Sequence, residues 1–188
     1  GSQPNNQVGG IIGRNTYSVK VNACYNAGNI TAVGSAGGII GRMGGTSIRE
    51  INNCLNIGKI SSTGNDIKEP RNNNSAGIVA TGLNAASIKI TNCLNIGELS
   101  AVTGNKNGIF HRMVVDKQKI EMSDCYAIDK DNVRQTDVSD DFIKNPESSY
   151  VNISESQAAT QNTFNNWNFT DVWELTNGQY PTIKGLIK

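Results

Sequence analysis

Short apolar runs separated by glycine and asparagine make up most of the first two thirds of the chain. In one stretch these runs occupy 38–41, 47–51 and 55–60, and each is too short for an ordinary helix. Short runs bounded by turn-forming residues are typical of β-strands. Gly and Asn can adopt the left-handed backbone conformation that a corner requires. The pattern therefore predicts an all-β chain with three strands in each stretch of about 30 residues.

Two sequence words recur in alternation. The first is Gly-Ile-Ile-Gly, and the second is Asn-Cys-Leu-Asn-Ile-Gly. Copies of the first word begin at Gly10, Gly38, Gly77 and Gly108, and copies of the second contain Cys24, Cys54, Cys93 and Cys125. Successive cysteines are 30, 39 and 32 residues apart, and the longest step contains a polar insertion at 65–74 that is typical of a loop. A repeat of this length indicates a solenoid.

The repeat predicts a right-handed β-helix of about four coils of about 30 residues each. Equivalent side chains would then stack at the strand spacing of about 4.8 Å and form ladders of like residues. We divide the chain into a cloning remnant and disordered lead (1–8), solenoid repeats (9–130) and a C-terminal capping segment (131–188). An antiparallel β-sandwich, with one hairpin for each repeat, is the alternative fold.

The four cysteines are predicted to form a ladder of free, buried thiols. Because they share one phase of the repeat, their β-carbons would lie near the strand spacing of about 4.8 Å, which exceeds the roughly 3.8 Å of a disulfide. A zinc site would need paired cysteines or several histidines, and the chain has one histidine, His111, in a phase that glycine or alanine holds elsewhere. We expect no catalytic residue, no cofactor and no metal.

Acidic residues do not form a pair at one phase of the repeat, as a glycoside-cleaving β-helix would require. The acids that do cluster follow the fourth cysteine, and we interpret them as a solvated loop and not as a calcium site. They are Asp129, Asp131, Asp137, Asp140 and Asp141. The formal net charge is +1 and charged residues make up 18%, so no charged surface directs the chain to nucleic acid. No apolar run reaches the roughly 20 residues that a membrane-spanning helix needs.

The C-terminal third departs from the repeat. A short helix is predicted at 139–145, and a capping box at Ser154–Gln157 predicts a second one through Ala159. Five of the chain's eleven aromatic residues follow, at Phe164, Trp167, Phe169, Trp173 and Tyr180. They supply the buried surface that a cap needs, or they form a platform for sugar rings. The candidate ligand contacts are Trp167, Trp173, Asn72, Asn73 and Asn74.

The two words resemble the GLUG-type repeats of bacterial adhesin-like surface proteins, which also occur in the non-catalytic region of immunoglobulin A proteases. The first word departs from that motif by having Ile in place of Leu. The resemblance implies a secreted or surface-exposed β-helical module without catalysis. We therefore expect an extracellular structural or adhesive scaffold, stalk or display face, monomeric, with a host matrix protein or a glycan as its partner. A carbohydrate-binding or carbohydrate-processing β-helix is the alternative.

Overall fold

The computed structural model describes residues 6–45, 47–64, 73–82, 87–102, 106–112, 119–128 and 150–186. Within these ranges the regular structure is almost all β-strand, and five parallel sheets are built from strands at the same position of successive repeats. The first sheet contains β1 (Val8–Gly9), β6 (Ala36–Gly37), β11 (Ser75–Ala76) and β16 (Lys106–Asn107). The second contains β2 (Ile12–Asn15), β7 (Ile40–Met43), β12 (Val79–Gly82) and β17 (Phe110–Arg112).

The remaining three parallel sheets follow in chain order. The third contains β3 (Val19–Asn22), β8 (Ile48–Asn52), β13 (Ser87–Thr91) and β18 (Lys119–Ser123). The fourth contains β4 (Tyr25–Asn26), β9 (Leu55–Asn56), β14 (Leu94–Asn95), β19 (Tyr126–Ile128) and β20 (Val151–Ile153). The fifth contains β5 (Ile30–Ala32), β10 (Ile60–Ser62) and β15 (Leu99–Ala101).

Strands at the same position in consecutive repeats pair with one another. Thus β8 pairs in parallel with β3 and β13, which lie about one repeat before and after it in the chain. This is a β-helix-like arrangement. The alternative of an antiparallel sandwich is wrong, because a hairpin in each repeat would produce antiparallel pairs, and all the pairs in these five sheets are parallel.

Each full repeat contains five strands, where the sequence pattern predicts three. The run at 38–41 lies across a bend between β6 and β7, and the run at 55–60 is divided into β9 and β10 by a bend after Asn56. The apolar pattern therefore locates the runs correctly but does not show the corners within them. The physical reason is that a corner is set by backbone direction, which the spacing of apolar residues does not record.

The interior of the stack holds the largest apolar cluster. It combines the isoleucines of the first word, including Ile39, Ile78 and Ile109, with the side chains of the second and third sheets and the cysteines. A smaller cluster, which contains Ile30 and Leu99, lies at the fifth sheet. Burial of isoleucine, valine and leucine is the main driving force for such a fold, at roughly 25 cal/mol per Å² of apolar surface.

The C-terminal segment adds β20 to the stack and then forms a small unit of its own. It contains α1 (Glu155–Ala158), a 3-10 helix η1 (Gln161–Thr163), and the antiparallel pair β21 (Trp173–Glu174) and β22 (Thr182–Ile183). The predicted capping box is confirmed, because the Ser154 hydroxyl accepts from Gln157 N and the Gln157 side chain accepts from Ser154 N. The helix predicted at 139–145 lies outside the described residues.

This segment packs along the flank of the fourth sheet as well as beyond its last strand. Its aromatic residues share one apolar cluster with Leu55 and Leu94, which point out of the stack, and Tyr25 packs against the same cluster. Trp167 and Trp173 stack with ring centroids 4.1 Å apart. The sequence predicts a cap at the end of the solenoid, but the aromatic surface covers a side of several repeats, because each copy of the second word directs one large apolar residue outward.

Candidate functional site

A ladder of buried asparagines joins the repeats from within. Asn26 Nδ2 donates to Asn56 Oδ1 at 2.6 Å, and Asn56 Nδ2 donates to Asn95 Oδ1 at 2.7 Å. The Nδ2 atoms of all three asparagines, Asn95 included, also donate to the backbone carbonyl two residues later, at 2.9 to 3.0 Å. Hydrogen bonding satisfies amides that would otherwise be costly to bury, so the second word fixes the register of neighbouring repeats.

The glycine of the first word packs directly against this ladder. A β-carbon on Gly38 would collide with the Gly77 carbonyl oxygen and lie 2.5 Å from Asn56 Cγ. Gly10 and Gly77 meet their own ladder asparagines in the same way. The two words therefore recur together because they form the two sides of one contact.

The fourth copy has alanine in place of the ladder asparagine, and Tyr150 takes up the space. Ala127 pairs with Asn95 in the fourth sheet. The buried Tyr150 hydroxyl accepts a hydrogen bond from Gly108 N at 3.1 Å. Tyr150 lies outside the repeat, so the repeat pattern gave it no role. The loss of asparagine at 127 was the available signal that another group completes the ladder.

The residue before each cysteine forms a left-handed corner. Ala23, Asn53, Asn92 and Asp124 all have φ of 52°. Asn and Asp tolerate this conformation better than other residues with a side chain. The corners place these four side chains in a column along the stack, next to the last residues of the third-sheet strands, which are Asn22, Asn52, Thr91 and Ser123.

These two columns form a polar cleft of about 470 Å³. We call this cavity the polar cleft, and ten residues line it: Asn22, Glu50, Asn52, Asn53, Lys89, Thr91, Asn92, Ser123, Asp124 and Asn166. Seven of these ten residues are uncharged and polar, and none is apolar. Two carboxylates and one ammonium give the lining a formal charge of −1. The sequence signal for the cleft was the pair of residues before each cysteine, which are polar in every copy except at Ala23.

Hydrogen bonds within the cleft hold some of its side chains in place. Asn53 Nδ2 donates to Asn22 Oδ1 at 2.9 Å, and the Thr91 hydroxyl donates to Asn52 Oδ1. At the edge next to the third-sheet strands, Lys20 Nζ lies 3.0 Å from Glu50 Oε2. Lysine and glutamate alternate from strand to strand along this row, because Lys89 pairs with Glu50 on one side and with Glu121 on the other. Exposed ion pairs of this kind contribute little stability, but their alternation favours one register.

The two tryptophans lie beneath the cleft and not on its surface. The Trp173 indole N–H donates to Asn53 Oδ1 at 3.3 Å, and the Trp167 indole N–H donates to the Asp124 carbonyl at 2.9 Å. Asn166 Nδ2 also donates to Asp124 Oδ1 at 2.7 Å. The C-terminal segment therefore supports the cleft through three hydrogen bonds to two corner residues.

The predicted ligand contacts lie in two separate places. Trp173 is fully buried and Trp167 is 6% exposed, so neither ring presents a face to solvent in this conformation. This burial favours the interpretation of the aromatic residues as packing core. Asn73 and Asn74 are also buried, while Asn72 lies outside the described residues. The structure does not bring the asparagines and the tryptophans together into one surface.

The cysteines are free, as predicted, and their thiols line the interior. Cys54, Cys93 and Cys125 are buried and Cys24 is half-buried. Each thiol donates to the carbonyl two residues earlier, at 3.2 to 3.5 Å. Burial, followed by a hydrogen bond with Cys125, raises the pKa of Cys93 well above its ordinary value. The hydrogen bond with Cys54, followed by burial, likewise raises the pKa of Cys24. The Cys24 and Cys93 thiols therefore stay protonated at neutral pH and behave as small apolar groups.

One buried cation was not anticipated from the sequence. Arg49 has no exposed surface, and its guanidinium donates to the carbonyls of Gly44, Gly45 and Ser47. Burial lowers the pKa of Arg49. Its position in an apolar phase of β8 gave no indication of this role. The hydrogen bonds show that Arg49 supports the turn that connects β7 to β8.

Among the described residues, no three His, Cys, Asp or Glu side chains are grouped so that they could hold a metal ion. His111 is buried in β17, and the acidic cluster at 129–141 lies outside the described ranges. In the part of the chain that the structure describes, no helix has the length and apolar character of a membrane span.

Comparison with known proteins gives one structural similarity. No protein-family model matches the chain, and no curated protein matches it. The chain is similar in structure to a putative immunoglobulin A1 protease from Bacteroides ovatus, with a TM-score of 0.52 and 20% sequence identity over 94% of this chain. The match covers 52% of that protein, so this chain spans about half its length. At this identity the similarity shows a shared fold.

Proposed function

We propose that this chain is a non-catalytic structural and adhesive module of a larger bacterial surface protein, in which it serves as a scaffold, a stalk or a display face. The observation that carries the proposal is the ladder of same-phase residues. Asn26, Asn56 and Asn95 link three repeats by direct side-chain hydrogen bonds. A stack that is linked both by backbone and by side chains resists bending, which suits an element that holds binding groups at a fixed distance from a cell.

The similarity to a longer bacterial protein supports this setting. That protein is named as a protease, and the name concerns the whole chain, about half of which matches here. We extend from it the idea of a β-helix-like module within a larger bacterial protein. The right-handed form with about four coils, the GLUG-type resemblance, the extracellular location and the monomeric state are parts of the same proposal.

The outward faces of the stack are suited to display. In β8 and β13 buried and accessible positions alternate, so that Ile51 and Ile90 face the interior while Glu50 and Lys89 face outward. Because consecutive strands are in parallel register, an outward residue repeats along the stack at about 4.8 Å. A regular polar surface of this kind supports contacts with an extended partner.

The alternative function is a carbohydrate-binding or carbohydrate-processing β-helix. The specific observation that favours carbohydrate binding is the polar cleft, whose lining is made of amides, hydroxyls and a few charges. This alternative is compatible with the adhesive module, since an adhesin of this type would use such a cleft.

Binding and cleavage assays on the purified chain test the proposal. We expect saturable binding to an immobilised host matrix protein, mucin or glycan, and no fragments when the chain is incubated with immunoglobulin A1. A heat-unfolded sample of the same chain is the control for non-specific adsorption. Cleavage of immunoglobulin A1 that co-purifies with the chain would contradict a non-catalytic module. Absence of all binding would leave a stalk without an adhesive role.

A further inference from the structure

The chemistry of the polar cleft selects one class of ligand. Its lining contains no apolar residue, so a lipid or a peptide with apolar anchors would leave its own apolar groups unpacked. The formal charge of −1 disfavours a polyanion. Carboxamides and hydroxyls each donate and accept hydrogen bonds, which matches the hydroxyl groups of a neutral sugar. The volume of about 470 Å³ lies within the roughly 300–1,000 Å³ that is common for small-ligand sites.

The cleft is fixed in shape before any ligand arrives. Its corner residues Asn53, Asn92 and Asp124 share the same left-handed backbone conformation. Asn53 and Asp124 are held from below by the indole N–H groups of the C-terminal segment. A site whose side chains are already ordered loses less conformational entropy when it binds.

Two side chains of the cleft, in the third and fourth repeats, have unused hydrogen-bonding capacity. Unlike Asn53 and Asp124, Asn92 makes no side-chain hydrogen bond within the described residues, and neither does the Ser123 hydroxyl. They are neighbours, because Asn92 N donates to the Ser123 carbonyl at 3.2 Å and Ser123 pairs with Thr91. A carboxamide and a hydroxyl on adjacent strands together present donors and acceptors to one ligand.

We propose that the polar cleft binds a short neutral oligosaccharide that lies along the stack, with Asn92 and Ser123 among its hydrogen-bonding contacts. The lining extends from Asn22 to Asp124 over four repeats, which corresponds to about 14 Å at the strand spacing. An extended ligand therefore fits better than a single compact one. The inference deepens the adhesive role proposed above and rests on it.

The test is a titration of the isotopically labelled chain, monitored by nuclear magnetic resonance. The probes are the neutral hexasaccharides of maltose, cellulose, chitin and mannan type, with a heparin hexasaccharide as the polyanionic comparison. We expect at least one neutral probe at millimolar concentration to shift the side-chain amide signals of Asn52, Asn53 and Asn92. The affinity is expected to be weak, because the lining offers no aromatic ring for stacking.

Variants assign the binding to the cleft. Asn92→Gly removes the carboxamide but keeps a residue suited to positive φ, and Ser123→Ala removes the exposed hydroxyl. Each is expected to weaken binding by about three- to tenfold, which corresponds to the loss of one hydrogen bond. Thr31→Ala, on the exposed face of the fifth sheet, is the matched control and should bind like the original chain.

The possible results separate this inference from the proposed function. Loss of neutral-sugar binding in the cleft variants, with Thr31→Ala unchanged and all spectra folded, supports the inference. Preference for heparin, or shifts away from the cleft, overturns it. If no neutral probe shifts any signal while the chain still binds a matrix protein in the adsorption assay, the cleft proposal fails and the adhesive module stands. If both assays are negative, the cleft proposal and the adhesive role both fail, and only a structural stalk is left.

Discussion

Removal of the central asparagine of the ladder should cost a large part of the stability of the protein. Asn56 has no exposed surface, and its side chain takes part in three hydrogen bonds, with Asn26, Asn95 and the Gly58 carbonyl. The substitution Asn56→Ala removes all three. Asn26 retains its bond to the Gly28 carbonyl at 2.9 Å, whereas the Asn95 oxygen is left buried without its donor.

The magnitude follows from these contacts. Three hydrogen bonds contribute roughly 0.5–1.5 kcal/mol each, and one unsatisfied buried oxygen costs about 1–3 kcal/mol. Part of this is offset, because the buried Asn56 amide no longer has to be desolvated. We expect Asn56→Ala to lower the free energy of unfolding by about 3–4 kcal/mol, against a total of roughly 5–15 kcal/mol for a typical domain.

Two companion variants separate hydrogen bonding from packing. Asn56→Leu has nearly the same shape as asparagine but offers no polar atom, so it should not restore stability. Asn26→Ala, at the end of the ladder, should cost about 1 kcal/mol less than Asn56→Ala, because Asn26 makes one side-chain hydrogen bond to a neighbouring repeat where Asn56 makes two. Urea denaturation followed by circular dichroism gives the free energies, with the slopes compared to confirm that the unfolded states are alike. The reasoning is refuted if Asn56→Leu restores the loss or if Asn26→Ala costs as much as Asn56→Ala.

Three further predictions concern other positions of the repeat and use the same denaturation assay. Gly58→Ala should lower the free energy of unfolding by more than about 2 kcal/mol, because its β-carbon would collide with the Gly28 carbonyl oxygen. A β-carbon on Gly28 would lie 3.6 Å from Asn26 Oδ1, so Gly28→Ala should change the stability by less than about 0.5 kcal/mol. Equal effects of the two substitutions would contradict this. Ala23→Asn should stabilise the protein by about 0.5–1 kcal/mol, since alanine at φ of 52° is strained. A destabilised variant would show that this corner tolerates alanine without cost. Because the pKa of Cys93 is raised in the folded protein, the stability that its protonated thiol contributes is complete below the ordinary thiol pKa of 9.0. That stability is lost as pH rises above this value, by up to about 1.4 kcal/mol per pH unit. Cys93→Ala should reduce this loss, and an unchanged dependence of the free energy of unfolding on alkaline pH would count against the raised pKa.

The position of the C-terminal segment changes how the aromatic residues are understood. From the sequence they were either the core of an end cap or a platform for sugars. In the structure they cover the outward leucines of the fourth sheet and support the polar cleft through indole N–H groups. Trp173 thus positions the Asn53 side chain and Trp167 the Asp124 backbone, and the candidate ligand contacts move to the residues that line the polar cleft.

The repeat determined the fold class and the identity of residues that lie next to one another. Because both words recur in one order, the sequence alone placed Cys54 beside Cys93 and Asn56 beside Asn95 in neighbouring repeats. The free thiols and the capping box of α1 also followed from it. These features depend on local spacing or on equality of phase, and both can be read along one chain.

Other features were decided only by the tertiary structure. The division of a repeat into five strands, the burial of Arg49 and the packing of Tyr150 against Ala127 depend on the direction of the backbone and on contacts between repeats. The polar cleft needs two columns of side chains from different strands and a supporting segment more than forty residues further along the chain. Periodicity shows which residues share a column, but the face that each column presents is fixed by long-range packing, which no single repeat contains.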